Sequence, residues 1–189
     1  MAERPMICLY CGSRPGHDAA FAEAAVAIGQ AIAARGWGLV YGAGDHGLMG
    51  LAAQAAMEGG APVLGFIPRR LVDLEVAKRD ITAMVITETM HERKKLMLEN
   101  ADAVLALPGG AGTLDELVEA LTWRQLGITR KPVVLLDTKG YWQPFAGLIG
   151  HFVTHGFAGP GLVDDLCLEP TPEAALNSLA QSLAQGIVG

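Results

Sequence analysis

Between residues 107 and 123 the chain reads LPGGAGTLDELVEALTW. Gly109, Gly110, Gly112 and Thr113 come just ahead of the acids Asp115 and Glu116 and a helical apolar pattern. Glycine-rich turns that open helices present bare backbone amides to anions, whereas carboxylates repel anions. One short stretch can carry both if they meet different parts of one ligand, with a phosphate lying at the amides. Thr113 and Glu116 also fit a capping box, with threonine at the N-cap and glutamate three residues later, worth about 1 kcal/mol. From these residues alone, capping is the role expected of Glu116, with chemistry as the alternative.

A second stretch, MHERKKLMLEN, places Arg93 and Lys94 in the first turn of a helix beginning near Met90. Cations there oppose the helix dipole. They read either as a solvated face offset by Glu92 and Glu99, or as an arginine that reaches an acidic ligand or orders a carboxylate. Arginine stays charged at neutral pH and makes forked contacts to either group. Met84, Met90 and Met97 are apolar groups available to a ligand, and methionine more often fills gaps in a core.

Other candidate motifs are weaker. Gly42-x-Gly44-x-x-Gly47 spells a dinucleotide fingerprint, but it follows the second strand, and the next one ends GFIPRR without a ribose-binding acid. Arg69 and Arg70 there suit a 2′-phosphate at best. His151 and His155 are four apart with no evident third ligand, so they read as surface histidines and no metal is expected. His91-Glu92 lacks the second histidine of a zinc protease. Cys8 and Cys11 spell C-x-x-C on the strand pattern MICLYC, where residues three apart face opposite sides, so they read as buried hydrophobes rather than a redox pair.

The elements that must hold these loops follow from periodicity. Apolar runs at 6–11, 37–42, 62–67, 83–88, 103–108, 132–137 and 166–169 read as strands. Helical patterns lie between them. One follows Asp18 as cap and stops at Gly36; others span Leu48 to Glu58, Met90 to about Asn100, the opening loop to about Leu126, and Tyr141 to His155. The last starts at Thr171 and Pro172. Near-continuously apolar strands imply burial on both faces. Strict alternation implies an α/β fold: a Rossmann-like, doubly wound parallel sheet with helices on both faces, a three-layer sandwich. Ligands in such folds sit beyond the carboxyl ends of the strands, where strand order reverses. Three glycine-bearing loops fall on that edge: CGSRPG with Gly12, Ser13 and Arg14; GAGDHGLMG with Gly44; and PGGAGT. All three are candidates to hold phosphate.

The chain has 189 residues, 51 % of them hydrophobic and 6 % aromatic, enough for one domain across 1–189. Abundant alanine and glycine imply closely packed helices. A formal net charge of −6 with no basic run longer than RKK argues against nucleic acid as a partner. The apolar runs are too short to span a bilayer, and the first residues lack the features of a signal peptide, so a cytoplasmic location is expected.

Together, PGGAGTLDE and MHERKKLM resemble the LOG (Lonely Guy) family of cytokinin-activating phosphoribohydrolases, whose pattern is PGGxGTxxE downstream of MHxRK. CGSR, YGAGDHGLMG and LTWRQLGITRKPV are similar to that family too, so the resemblance runs from about Ile7 to Asp137 and beyond. Asp115 departs from the pattern, where many members carry glutamate; Glu116 is unaffected. Many relatives carry the label lysine decarboxylase, but nothing in the sequence suggests a pyridoxal phosphate lysine with its partners.

The resemblance implies hydrolysis of the N-glycosidic bond of a nucleoside 5′-monophosphate to free base and ribose 5-phosphate, with no cofactor, by a homodimer. It implies Arg93 and Glu116 as the catalytic pair. It also implies that Gly109, Gly110, Gly112 and Thr113 hold the phosphate, helped by Ser13 and Lys94. Prenylated adenine and plain adenine both fit as the base, so an AMP nucleosidase of nucleotide salvage is an alternative. A carrier of a phosphorylated cofactor such as the molybdenum cofactor is another.

Overall fold

The apolar runs lie side by side in one direction. The computed structural model describes residues 4–72 and 77–186. Among these, β1 (Met6–Tyr10), β2 (Gly38–Tyr41), β3 (Val63–Pro68), β4 (Ala83–Thr87), β5 (Ala103–Ala106), β6 (Val133–Leu136) and β7 (Cys167–Glu169) make one sheet ordered β4-β3-β2-β1-β5-β6-β7. All its neighbours are parallel. The order reverses between β1 and β5, so the loops that leave these strands diverge to opposite faces.

The α-helices among the described residues are α1 (Ala19–Ala34), α2 (Gly47–Glu58), α3 (Met90–Glu99), α4 (Ala111–Gln125), α5 (Gln143–Thr154), α6 (Gly161–Asp164) and α7 (Pro172–Ala184), with short 3-10 turns at Arg69–Leu71 and Thr138–Gly140. Strand side chains alternate between two cores. Ile7 and Leu9 face α1, α2 and α7, through Ile28, Ala52 and Leu176. Cys8 and Tyr10 face α3, α4 and α5, through Met97, Leu117 and Phe145. Cys11 belongs to the first core and Cys8 to the second, so the two cysteines do face opposite sides and are buried. The expected doubly wound sandwich is therefore present.

Small residues bring helices close. A Cβ on Gly29 of α1 would stand 2.3 Å from the Ala52 carbonyl oxygen of α2, a contact only glycine permits. Asp18 caps α1, accepting from the Ala20 amide at 2.9 Å, and Gly36, at φ +69°, follows its end. Thr171 caps α7, accepting from the Ala174 amide at 3.2 Å.

Two expectations change. β4 is not buried on both faces: it is an edge strand, with Val85 and Ile86 exposed by 41 % and 43 %. Met90 is 38 % exposed rather than core, whereas Met97 is fully buried. The four-residue α6 was not foreseen, being too short to show a period. Among the described residues no helix is long and apolar enough to cross a membrane.

Candidate active site

A cleft of about 470 Å³ opens beyond the carboxyl ends of β1 and β5, at the point where strand order reverses. Gly12, directly after Cys11, ties its walls together. Its amide donates to the Pro108 carbonyl at 3.0 Å, and its carbonyl accepts from the Leu48 amide at 3.0 Å. The loops after β1, β2 and β5 are thereby joined at one residue. The approach of the β1 and β5 loops depends on Gly109. A Cβ there would stand 2.1 Å from Thr113 Oγ1 and 2.9 Å from the Gly12 nitrogen.

The structure starts α4 at Ala111, with Gly110 as N-cap and no side chain capping it. Thr113 is therefore within the first turn and buried, and Glu116 comes in the second turn. The capping box expected at Thr113 and Glu116 does not form. A T-x-x-E motif at a helix start occurs instead at Thr89-Met-His-Glu92. Thr89 caps α3, accepting from the Glu92 amide at 3.1 Å, while the Glu92 carboxylate accepts from the Glu88 amide at 2.8 Å. With glycine at its cap, α4 presents the amide end of its dipole to the cleft, which Gly110, Ala111, Gly112 and Thr113 line.

Arg93 and Glu116 line the same cleft. Arg93 is 4 % exposed, and its guanidinium is fixed by strand ends. Nε donates to the Phe66 carbonyl of β3 at 3.0 Å, and Nη2 donates to the Gly42 carbonyl after β2 at 2.9 Å. Nη1 approaches Met90 Sδ at 3.8 Å. The cation opposing the α3 dipole is thus compensated by carbonyl dipoles at the ends of two strands. Glu116 is partly buried and close to the end of β1. Burial pushes the Cys11 thiol well above its ordinary value of 9.0, and the Glu116 charge adds to the rise. Cys11, a cleft residue, is therefore a neutral thiol and not a nucleophile.

Nine of the residues singled out in the sequence come together here: Gly12, Ser13, Arg14, Gly109, Gly110, Gly112, Thr113, Arg93 and Glu116. Two stand elsewhere. Gly44 bridges to Ala77 and packs against Met49, outside the cleft lining. Lys94 is not at the cleft either: its ammonium lies between Asp115 at 3.0 Å and Glu119 at 2.9 Å, both on α4. Its neighbour Arg93 faces the cleft and Lys94 faces a helix, because successive helical residues turn by about 100°.

The sequence missed one wall. Tyr141, from the loop after β6, donates its hydroxyl to the Gly109 carbonyl at 2.5 Å and meets Phe21 edge-on, ring centroids 5.8 Å apart. Both rings line the cleft. The available signal was topological: β6 neighbours β5, so its loop leaves from the same edge. The cleft therefore combines helix-start amides, a fixed cation, a carboxylate and aromatic surface.

Comparison with known proteins shows what the whole chain resembles. The family model described as "Possible lysine decarboxylase" matches residues 49–179. The chain is 42% identical over 183 residues to the cytokinin riboside 5′-monophosphate phosphoribohydrolase LOG of Oryza sativa subsp. japonica, covering 97% of this chain and 76% of that protein. It is 46% identical over 154 residues to LOG7 of Arabidopsis thaliana, which bears the same enzyme name, covering 82% of this chain and 71% of that one. The molybdenum cofactor binding protein of Rippkaea orientalis shares the fold at a TM-score of 0.74 and 23% identity, covering 97% of this chain and 99% of that one. The sequence matches reach well beyond the two motifs, and on them the chain belongs to the LOG family of cytokinin riboside 5′-monophosphate phosphoribohydrolases.

Proposed function

We infer that the chain hydrolyses the N-glycosidic bond of an N6-substituted adenosine 5′-monophosphate, releasing the free base and ribose 5-phosphate. The meeting of Arg93 and Glu116 with the glycine loops in one cleft carries this reading, in a chain whose relatives are named for that reaction. The phosphate rests on the uncapped amides at the start of α4, with Ser13 beside it. The ribose then extends along the helix towards Glu116, one turn further on.

Breaking the bond between C1′ and the base nitrogen builds positive charge on the sugar. A fixed carboxylate stabilises that charge more than the neutral ground state, as catalysis requires. Water supplies the oxygen that bonds to C1′, and Glu116 accepts its proton. The electron pair of the broken bond leaves with the base, which gains a proton from solvent. Arg93 is held too firmly by two carbonyls to swing, so it acts as a fixed cation that orients the carboxylate and the ligand.

A cytoplasmic homodimer is part of the same reading. Leu114, Val118, Leu126 and Ile128 are exposed apolar residues on and just after α4, a surface that a second copy would cover. Light scattering on the eluting protein measures the mass.

A panel of nucleoside 5′-monophosphates, with and without an N6-alkyl group, tests the reaction. Free base and ribose 5-phosphate in equal amounts are expected, fastest from the N6-substituted substrate. Preference for AMP itself would make the protein a salvage nucleosidase. A phosphorylated ligand bound but left intact would make it a carrier.

A further inference from the structure

Lys94 links the two helices that supply the reacting groups. It follows Arg93 on α3, and its ammonium sits between Asp115, the residue before Glu116, and Glu119, three residues after it. Asp115 and Glu119 are four apart and so share one stripe of α4. The Lys94 side chain is 8 % exposed. Burial alone would lower its pKa, but the hydrogen bonds to Glu119 and Asp115 outweigh that and raise it, so the ammonium is charged.

Only the ammonium of this cluster is buried, while the Asp115 carboxylate is 60 % exposed, so solvent screening and the desolvation of Lys94 leave the cluster little net stability. What it supplies is a fixed geometry. Arg93 is anchored to the ends of β2 and β3, while Glu116 is carried by α4, which begins after β5. The two groups thus reach the cleft from opposite sides of the switch point. An ion cluster adjacent to both in sequence fixes one helix against the other.

Building on the hydrolase reading, we propose that Lys94 is a positioning residue: it clamps α3 to α4 through Asp115 and Glu119 and keeps Glu116 in register with Arg93. It does not touch the phosphate. Its removal therefore lowers turnover without weakening the ground-state grip on the nucleotide.

The test compares Lys94→Met, Lys94→Arg and the triple variant Lys94→Met/Asp115→Asn/Glu119→Gln with the wild type. The readouts are kcat and KM for the best substrate and thermal melting. Lys94→Met is expected to lose about 10- to 100-fold in kcat, the scale of a small misplacement of a reacting group, with KM nearly unchanged. Lys94→Arg keeps the charge and recovers most of the loss. The triple variant leaves neither carboxylate of the cluster without its cation, so like-charge repulsion on α4 is removed together with the clamp, and it shows the same loss of kcat. Lys95→Ala, at an exposed pair with Glu99, leaves both constants unchanged.

A triple variant with wild-type kcat overturns the clamp. So does a Lys94→Met variant in which KM rises and kcat holds, since that is the signature of a phosphate ligand. Wild-type protein that releases no base from any nucleotide overturns the hydrolase reading, and the clamp falls with it.

Discussion

Gly42 and Arg93 occupy space that neither can share: a Cβ on Gly42 would lie 1.9 Å from Arg93 Nη2, and the Gly42 carbonyl accepts from that same nitrogen at 2.9 Å. The glycine is thus part of the arginine's socket. Its backbone does not need the left-handed region, so alanine is compatible with the local chain. The steric burden falls on the flexible end of the arginine. Gly42→Ala is expected to melt within a few degrees of wild type while losing about 10²-fold in base release, because the guanidinium is displaced by about an ångström. Wild-type turnover in this variant would show that the position of Arg93 does not matter to the reaction.

Glu116→Gln keeps the shape of the side chain and removes its charge. If that charge stabilises the sugar cation and accepts the proton from water, kcat falls about 10²- to 10⁴-fold and KM changes little. Thermal stability stays the same or rises, as is common where a charge held for chemistry is removed. Base release at the wild-type rate would remove Glu116 from the mechanism.

The sheet was legible because its signals are local. Continuous apolar runs such as AVLA and VVLL mark buried parallel strands, and Asp18 and Thr171 announce helices by cap chemistry. The cleft was legible because strand alternation put the glycine loops on one edge. Helix starts were less so. TMHE and TLDE carry the same capping pattern, and only the first caps, because Gly110 begins α4 three residues ahead of Thr113. Sequence spacing cannot rank two valid starts for one helix.

Contacts between distant elements were not legible at all. The Gly42 carbonyl that holds Arg93 comes from 51 positions away, and Tyr141 reaches Gly109 across 32. The family resemblance implied Lys94 as a helper at the phosphate; its carboxylate partners on α4 become visible only when the two helices are packed on one face. Exposed Val85 likewise reflects the edge position of β4, a property of strand order rather than of the strand itself.

The glycines of the β5 loop differ in what they do, and substitution separates them. A Cβ on Gly109 would meet the Gly12 nitrogen, a backbone atom that cannot move without opening the loop. A Cβ on Gly112 would meet nothing within 4 Å. Gly109→Ala is therefore expected to lower the melting temperature and weaken ribose 5-phosphate binding about tenfold, the effect of misaligning one amide donor to a charged group. Gly112→Ala should melt like wild type. Calorimetric titration with ribose 5-phosphate reads both, and equal affinity in Gly109→Ala and wild type would place the phosphate away from this loop.

The cysteines provide a check on the cleft that needs no substrate. Cys8 and Cys11 are buried and Cys167 is partly exposed. Burial raises all three thiols above their ordinary 9.0, and the charge of Glu116 adds to the rise at Cys8 and Cys11. A thiol whose pKa is raised by folding stays protonated, so the native protein binds the proton more tightly than the unfolded chain. The stability this contributes is complete below pH 9 and is lost as pH rises above it, so the melting temperature should fall on the alkaline side. At pH 8, iodoacetamide followed by mass spectrometry should label Cys167 first. Cys11 should stay unmodified until the chain unfolds, although it lines an open cleft. Rapid alkylation of Cys11 in the native wild type would contradict the buried, carboxylate-flanked position it has at the end of β1.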